Sequence, residues 1–184
     1  MLGNGPLNGF RVPPQSIVNI RCTADNVRQI LQIGEKITQL KMGRFLDELS
    51  NNYNIIYDVL EPHEMPHRGV EACCIPENLE ICIRDDVYER ACKDEARARF
   101  TIIHEFGHLI LGHRRTINRE VTTTLKTFED SEWQANQFAA EFLMPLELIK
   151  KHGLHKSEEI ENFFKVSSIA AKKRLRQLTN QGDL

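Results

Sequence analysis

Apolar residues recur at helical spacing in several stretches of the chain and at strand spacing in three short ones. Residues 94–111 contain no proline, and Phe100, Ile102, Ile103, Phe106, Leu109 and Ile110 form a broad apolar stripe, so they predict a buried helix. Asp94 is its expected N-cap and Gly112 its stop. A second helix is predicted from Glu132 to Pro145, capped by Asp130 or Ser131 and ended by the proline. Val27, Ile30 and Leu31, then Ile37, Leu40, Phe45 and Leu49, predict helices over 23–34 and 36–51. Residues 54–60, 70–75 and 79–84 read as strands, the last two a hairpin through Pro76-Glu77-Asn78. Alternation in 79–84 predicts one buried face, with Cys74 and Cys82 as small apolar fillers. Residues 157–181 predict two helices with a turn near 163–168. The Gly-, Pro- and Asn-rich segment 1–22 predicts a poorly ordered arm, or one docked on another surface.

The first of these helices carries His104-Glu105-Phe106-Gly107-His108, an HExxH pattern. Positions i and i+4 lie one turn apart, so both imidazoles project from one face as two corners of a metal site. Glu105 sits about 100° around the helix, beside the open coordination position. A carboxylate there can take a proton from metal-bound water, whose pKa zinc lowers to about 7. Gly107 costs about 1 kcal/mol of helix propensity relative to alanine, which implies that another backbone approaches closely.

A third ligand must come from elsewhere. The form HExxHxxGxxH fails, because positions 111 and 114 hold Leu111 and Arg114. His113 lies past the helix stop and reads either as a ligand or as a helix-end histidine, solvent-facing or hydrogen-bonded. The second helix offers Glu132 and Glu141, nine residues apart and therefore on opposite faces at about 100° per residue. Glu132 shares its face with Ala135, Asn136, Ala139 and Leu143, whose small alanines permit close helix packing. Glu141 lies with Gln134 and Gln137 in a polar stripe expected to face water. Glu132 is therefore the expected ligand. Asn136 is either a partner that fixes a ligand histidine's tautomer or a capping or surface amide.

The blocks Phe100 to His113 and Glu132 to Pro145 together resemble the ImmA/IrrE metallopeptidases, whose pattern runs FTxAHELGHxxLH and then ExxANxFAAxLLMP. Phe100-Thr101, His104-Glu105, Gly107-His108-Leu109 and Leu111 match the first block. Glu132, Ala135-Asn136, Phe138-Ala139-Ala140-Glu141 and Leu143-Met144-Pro145 match the second. The similarity is strong over 97–145 and weaker over 53–84. It implies His104, His108 and Glu132 as metal ligands, Glu105 as general base, and cleavage of a helix-turn-helix repressor of phage or stress-response type. The fold expected is α+β: a zincin-like minidomain whose three-stranded sheet packs on the HExxH helix and the Glu132 helix. A small helix-turn-helix-like unit follows. The expected division is an arm over 1–22, a metallopeptidase domain over 23–150 and a helical unit over 151–184. One zinc ion per chain is expected, with manganese or another divalent ion left open by the ligand types.

Composition narrows the alternatives. With 41% hydrophobic and 27% charged residues, the chain is an ordinary globular one. A net charge of -2 gives no global attraction to nucleic acid or anionic membranes. No apolar run approaches a membrane span and no signal-peptide core is present, so a cytoplasmic protein is expected. Five cysteines without a CxxC spacing argue against a thiolate metal site. His63 and His67, in the loop 61–69, read either as cleft residues that stabilise the oxyanion or as exposed loop histidines. Arg97, Arg99 and Tyr88 are further donors that the sequence does not rank. Residues 114–128 form either a cleft-bordering lid or a plain surface loop. Lys172, Lys173, Arg174 and Arg176 form either a phosphate-binding cluster or a solvated helical face. Two rival functions stand beside the peptidase: a regulator that binds a repressor or other partner without cutting it, and a DNA-binding protein acting through its C-terminal helices. Direct binding of nucleic acid and of membranes is not expected.

Overall fold

The structure is a computed structural model that describes residues 9–34, 40–114 and 126–184. Helix α1 (Ile17–Ile30) starts where the Ser16 hydroxyl accepts the Asn19 N–H, and it buries Ile20 and Ala24. Its first six residues fall in the segment 1–22, expected to be an arm either poorly ordered or docked on another surface rather than the start of a helix. The Ser16 cap and the buried Ile20 account for the difference. Helix α2 (Met42–Tyr53) buries Met42, Phe45, Leu46 and Leu49 at i, i+3, i+4 and i+7 and ends at Asn54 in the left-handed region, φ 55°. The predicted start of this helix at 36 lies outside the described residues.

Strands β1 (Ile56–Leu60), β2 (Ala72–Ile75) and β3 (Glu80–Arg84) form one sheet in the order β1-β3-β2. β1 runs parallel to β3, with Ile56 opposite Glu80, and β2 is antiparallel to β3, with Cys73 opposite Cys82. β3 is the middle strand, so Ile81, Cys82 and Ile83 are all buried where the alternation predicted one covered face. Helix α3 (Asp85–Cys92) was not expected. Only Val87 and Ala91 of it are buried, one turn apart, which leaves too little apolar periodicity to read. Its N-terminal Asp85 and Asp86 suit the positive end of the helix dipole.

Helix α4 (Ala96–Ile110) carries the HExxH pattern. Asp94 does not cap it: that residue sits at φ 67°, and Glu95 occupies the cap position without a side-chain bond. Gly112 at φ 66° ends the turn, as a left-handed residue past a helix should. Helix α5 (Ser131–Leu143) is capped by Asp130, whose Oδ1 accepts the Trp133 N–H at 2.7 Å. A Cβ on Gly107 would lie 3.0 Å from the Phe138 ring and 3.3 Å from the Ala135 carbonyl, so α4 and α5 touch at that glycine. Phe45, Phe106, Phe138 and Phe142 fill the core around this contact, with ring centroids 5.3 to 6.0 Å apart.

Helices α6 (Leu146–Lys151), α7 (Ser157–Phe164) and α8 (Ser168–Gln181) complete the chain. The far face of α5, expected to face water, is instead covered: Gln134, Gln137 and Glu141 are all buried. Arg174 of α8 grips the Glu141 carboxylate through both terminal nitrogens, and its Nε donates to the Met144 carbonyl at 3.1 Å. Arg21 of α1 donates to the same carboxylate at 3.1 Å, and Gln137 donates at 2.9 Å. Arg174 thus leaves the basic cluster considered for phosphate binding, whereas Lys172, Lys173 and Arg176 are exposed.

Candidate metal centre

Spacing on α4 brings His104 and His108 onto one face, and the Gly107 contact brings Glu132, in the first turn of α5, against them. The Nε2 atoms of the two histidines are 3.0 Å apart. Glu132 Oε2 lies 3.2 Å from His104 Nε2, and Oε1 lies 3.2 Å from His108 Nε2. His108 is buried, His104 nearly so, and Glu132 is partly open to solvent. Among the described residues these three make the one group of histidine, cysteine or carboxylate side chains placed to hold an ion.

The donor set fits zinc. Ligands about 2.05 Å from a tetrahedral zinc stand about 3.3 Å from one another. The observed separations of 3.0 to 3.2 Å are close to that edge length. Two imidazoles and a carboxylate are also ligands that zinc favours. The bond with His104, and the close approach of His108, hold the Glu132 carboxyl well below the usual carboxylate range. Burial pulls His104 down, but the bond to Glu132 and the charges of Glu105 and Glu132 outweigh it and leave the ring above its ordinary value. The cluster therefore favours positive charge at its centre.

Glu105 is partly buried beside this group. Burial raises its pKa, while the two histidines and a hydrogen bond from the Cys74 backbone N–H oppose the rise. Cys74 lies on the edge strand β2, which sequence reading did not connect to Glu105. The Arg84 N–H bonds the Glu71 carbonyl at 3.1 Å, so alternate β2 residues pair with β3 and the backbone groups of Ala72 and Cys74 point away from it.

His113 is not among the three converging atoms. It is buried, with Nδ1 2.9 Å from His108 Nδ1 and Nε2 3.0 Å from Gln134 Oε1, and burial lowers its pKa to about 4. Asn136 is exposed, donates to the Glu132 carbonyl at 2.7 Å, and also interacts with the His104 ring in the sense that favours its protonated form. His63 and His67 stand exposed in their loop, and His63 Nδ1 is 3.3 Å from Glu61. Arg97 is exposed and pairs with Glu71 at 3.5 Å. Arg99 is buried and donates to the Lys165 carbonyl, which ties α4 to the end of α7. Tyr88 stacks on Tyr57 at 6.2 Å. The segment 114–128, read as either a lid or a plain surface loop, lies outside the described residues over 115–125.

An α+β fold that gathers two histidines of one helix and a glutamate of the next, with a further glutamate beside them, has the make-up of a metallopeptidase. Residues 75–176 match the model of the IrrE N-terminal-like domain family, Peptidase_M78, and the chain belongs to that family. No curated protein matches the chain. Among the described residues, no helix is long and apolar enough to cross a membrane.

Proposed function

We propose that the chain is a zinc-dependent endopeptidase acting in the cytoplasm on a helix-turn-helix repressor protein. The observation that carries the reading is the convergence of His104, His108 and Glu132, with Glu105 one residue along the same helix. In this reading the three converging side chains hold one zinc ion. When bound, the ion supplies a Lewis acid that polarises the scissile carbonyl and acidifies water. Glu105 accepts the proton of the attacking water as the C–O bond forms. It then delivers that proton to the amine as the C–N bond breaks. The outward-facing backbone of Ala72 and the Cys74 carbonyl on β2 suit an extended peptide, which would pair there as an added strand while the Cys74 N–H stays with Glu105. A repressor substrate rests on the resemblance of the two motif blocks to the ImmA/IrrE peptidases.

The test is N-terminal proteomics of host cells expressing the chain or its Glu105→Gln variant, with zinc content measured on both proteins. The proposal expects new N-termini inside a helix-turn-helix protein in the first culture, none in the second, and equal zinc in both. Identical N-termini in the two cultures, with zinc bound, would favour a regulator that holds its partner without cutting it.

A further inference from the structure

Segment 9–15 lies across the start of α5 as a strap. The Gly9 N–H donates to Asp130 Oδ2 at 3.1 Å and the Phe10 N–H to Ser131 Oγ at 3.1 Å. The Ser131 N–H returns a bond to the Phe10 carbonyl at 3.1 Å, and the Val12 and Gln15 N–H groups bond the carbonyls of Glu129 and Phe128 at 2.9 and 3.0 Å. The Phe10 ring meets His113 edge-on at 6.5 Å. We propose that this strap, acting through Gln134 and His113, fixes the tautomer of His108 and so presents His108 Nε2 as a bare acceptor to the metal. The inference rests on the metal reading above and adds the device that orients one ligand.

The direction of each bond follows from what the next group can do. Gln134 Nε2 lies 2.9 Å from the Pro13 carbonyl and 2.8 Å from the Phe128 carbonyl. Carbonyl oxygens only accept, so the amide nitrogen must occupy that position and both its hydrogens are used. The Gln134 oxygen then faces His113 Nε2 at 3.0 Å and can only accept, so that ring nitrogen carries a hydrogen. His113 is 4% exposed and, among the described residues, its two ring nitrogens face only Gln134 and His108, neither of them an anion, so it is neutral, with a single N–H. Its Nδ1 is therefore bare, and His108 Nδ1, 2.9 Å away, must donate to it.

The consequence falls on the other side of the His108 ring. With its hydrogen on Nδ1, His108 turns a lone pair on Nε2 toward Glu132 Oε1 at 3.2 Å. The Glu132 contact is then between two acceptors, which repel until a cation lies between them. Among the described residues, His104 Nε2 at 3.0 Å is the only neighbour that could donate to His108 Nε2. The chain from two backbone carbonyls through an amide and an imidazole thus prepares the ligand for metal. It also couples the strap to the site, because one of those carbonyls belongs to Pro13. Partners of this kind typically change metal affinity about tenfold to hundredfold.

The test uses the full chain, metal-free and labelled with 15N-histidine. Long-range proton–nitrogen spectra report which ring nitrogen is protonated. The expected pattern is His108 protonated on Nδ1 and His113 on Nε2; a hydrogen on His108 Nε2 would overturn the proposal. Zinc affinity, measured by competition with a chromophoric chelator, should fall about tenfold to hundredfold in Gln134→Leu and in His113→Phe. Unchanged affinity in both variants, with the fold retained by circular dichroism, would also overturn it. The expected tautomers in a wild-type chain that takes up no zinc would instead refute the metal reading and leave the strap relay standing.

Discussion

Arg174→Met tests how the C-terminal helices hold the helix that carries Glu132. Both side chains of the Arg174–Glu141 pair are fully buried. Removing one partner of such a pair typically costs about 3–5 kcal/mol, because the other charge stays buried. Here Glu141 keeps Arg21 at 3.1 Å and Gln137 at 2.9 Å, which places the loss near the lower end. The Met144 carbonyl also loses its donor, at about 1 kcal/mol. The expected destabilisation is about 3–4 kcal/mol, a large share of a typical domain's 5–15 kcal/mol, read as a lowered urea midpoint with unchanged slope. Combining it with Glu141→Leu removes the stranded charge, so the double variant should be more stable than Arg174→Met alone. An Arg174→Met protein within 1 kcal/mol of the wild type would refute the reasoning.

Further outcomes follow from the same geometry. Gly107→Ala should gain about 1 kcal/mol of helix propensity, yet place its Cβ 3.0 Å from a buried Phe138 ring. Overpacking of this kind costs about 1–3 kcal/mol, so urea unfolding should show a net loss; a net gain would show that α5 yields freely. His113, held neutral down to about pH 4 against 6.5 when unfolded, links stability to pH. As pH falls through that window the unfolded chain takes the proton first, so about 3 kcal/mol of stability is lost, and it is regained as pH rises. The stability gap between metal-free wild type and His113→Phe should therefore narrow from pH 6.5 to 4, and a constant gap would contradict it.

The parts of this molecule legible in sequence are those written in local periods. The apolar stripe of α4, the two-helix motif blocks and the β2–β3 hairpin follow from spacing and turn residues alone. Phase along α5 separated Glu132 from Glu141 correctly, yet the polar face it assigned to water is buried. The partner responsible, Arg174, lies 33 residues along the chain, and no local period announces it. α3 escaped notice because Val87 and Ala91 are its only buried residues. The Gln134–His113–His108 chain was hidden for a related reason. Gln134 reads as one more polar residue on a helix until the strap and His113 close over it.

The central claim is most directly tested by metal analysis of the purified chain and its Glu132→Ala variant by mass spectrometry. The account predicts one zinc per chain in the wild type, lost or much weakened in the variant. A wild-type protein that holds no metal even after zinc is supplied would contradict it.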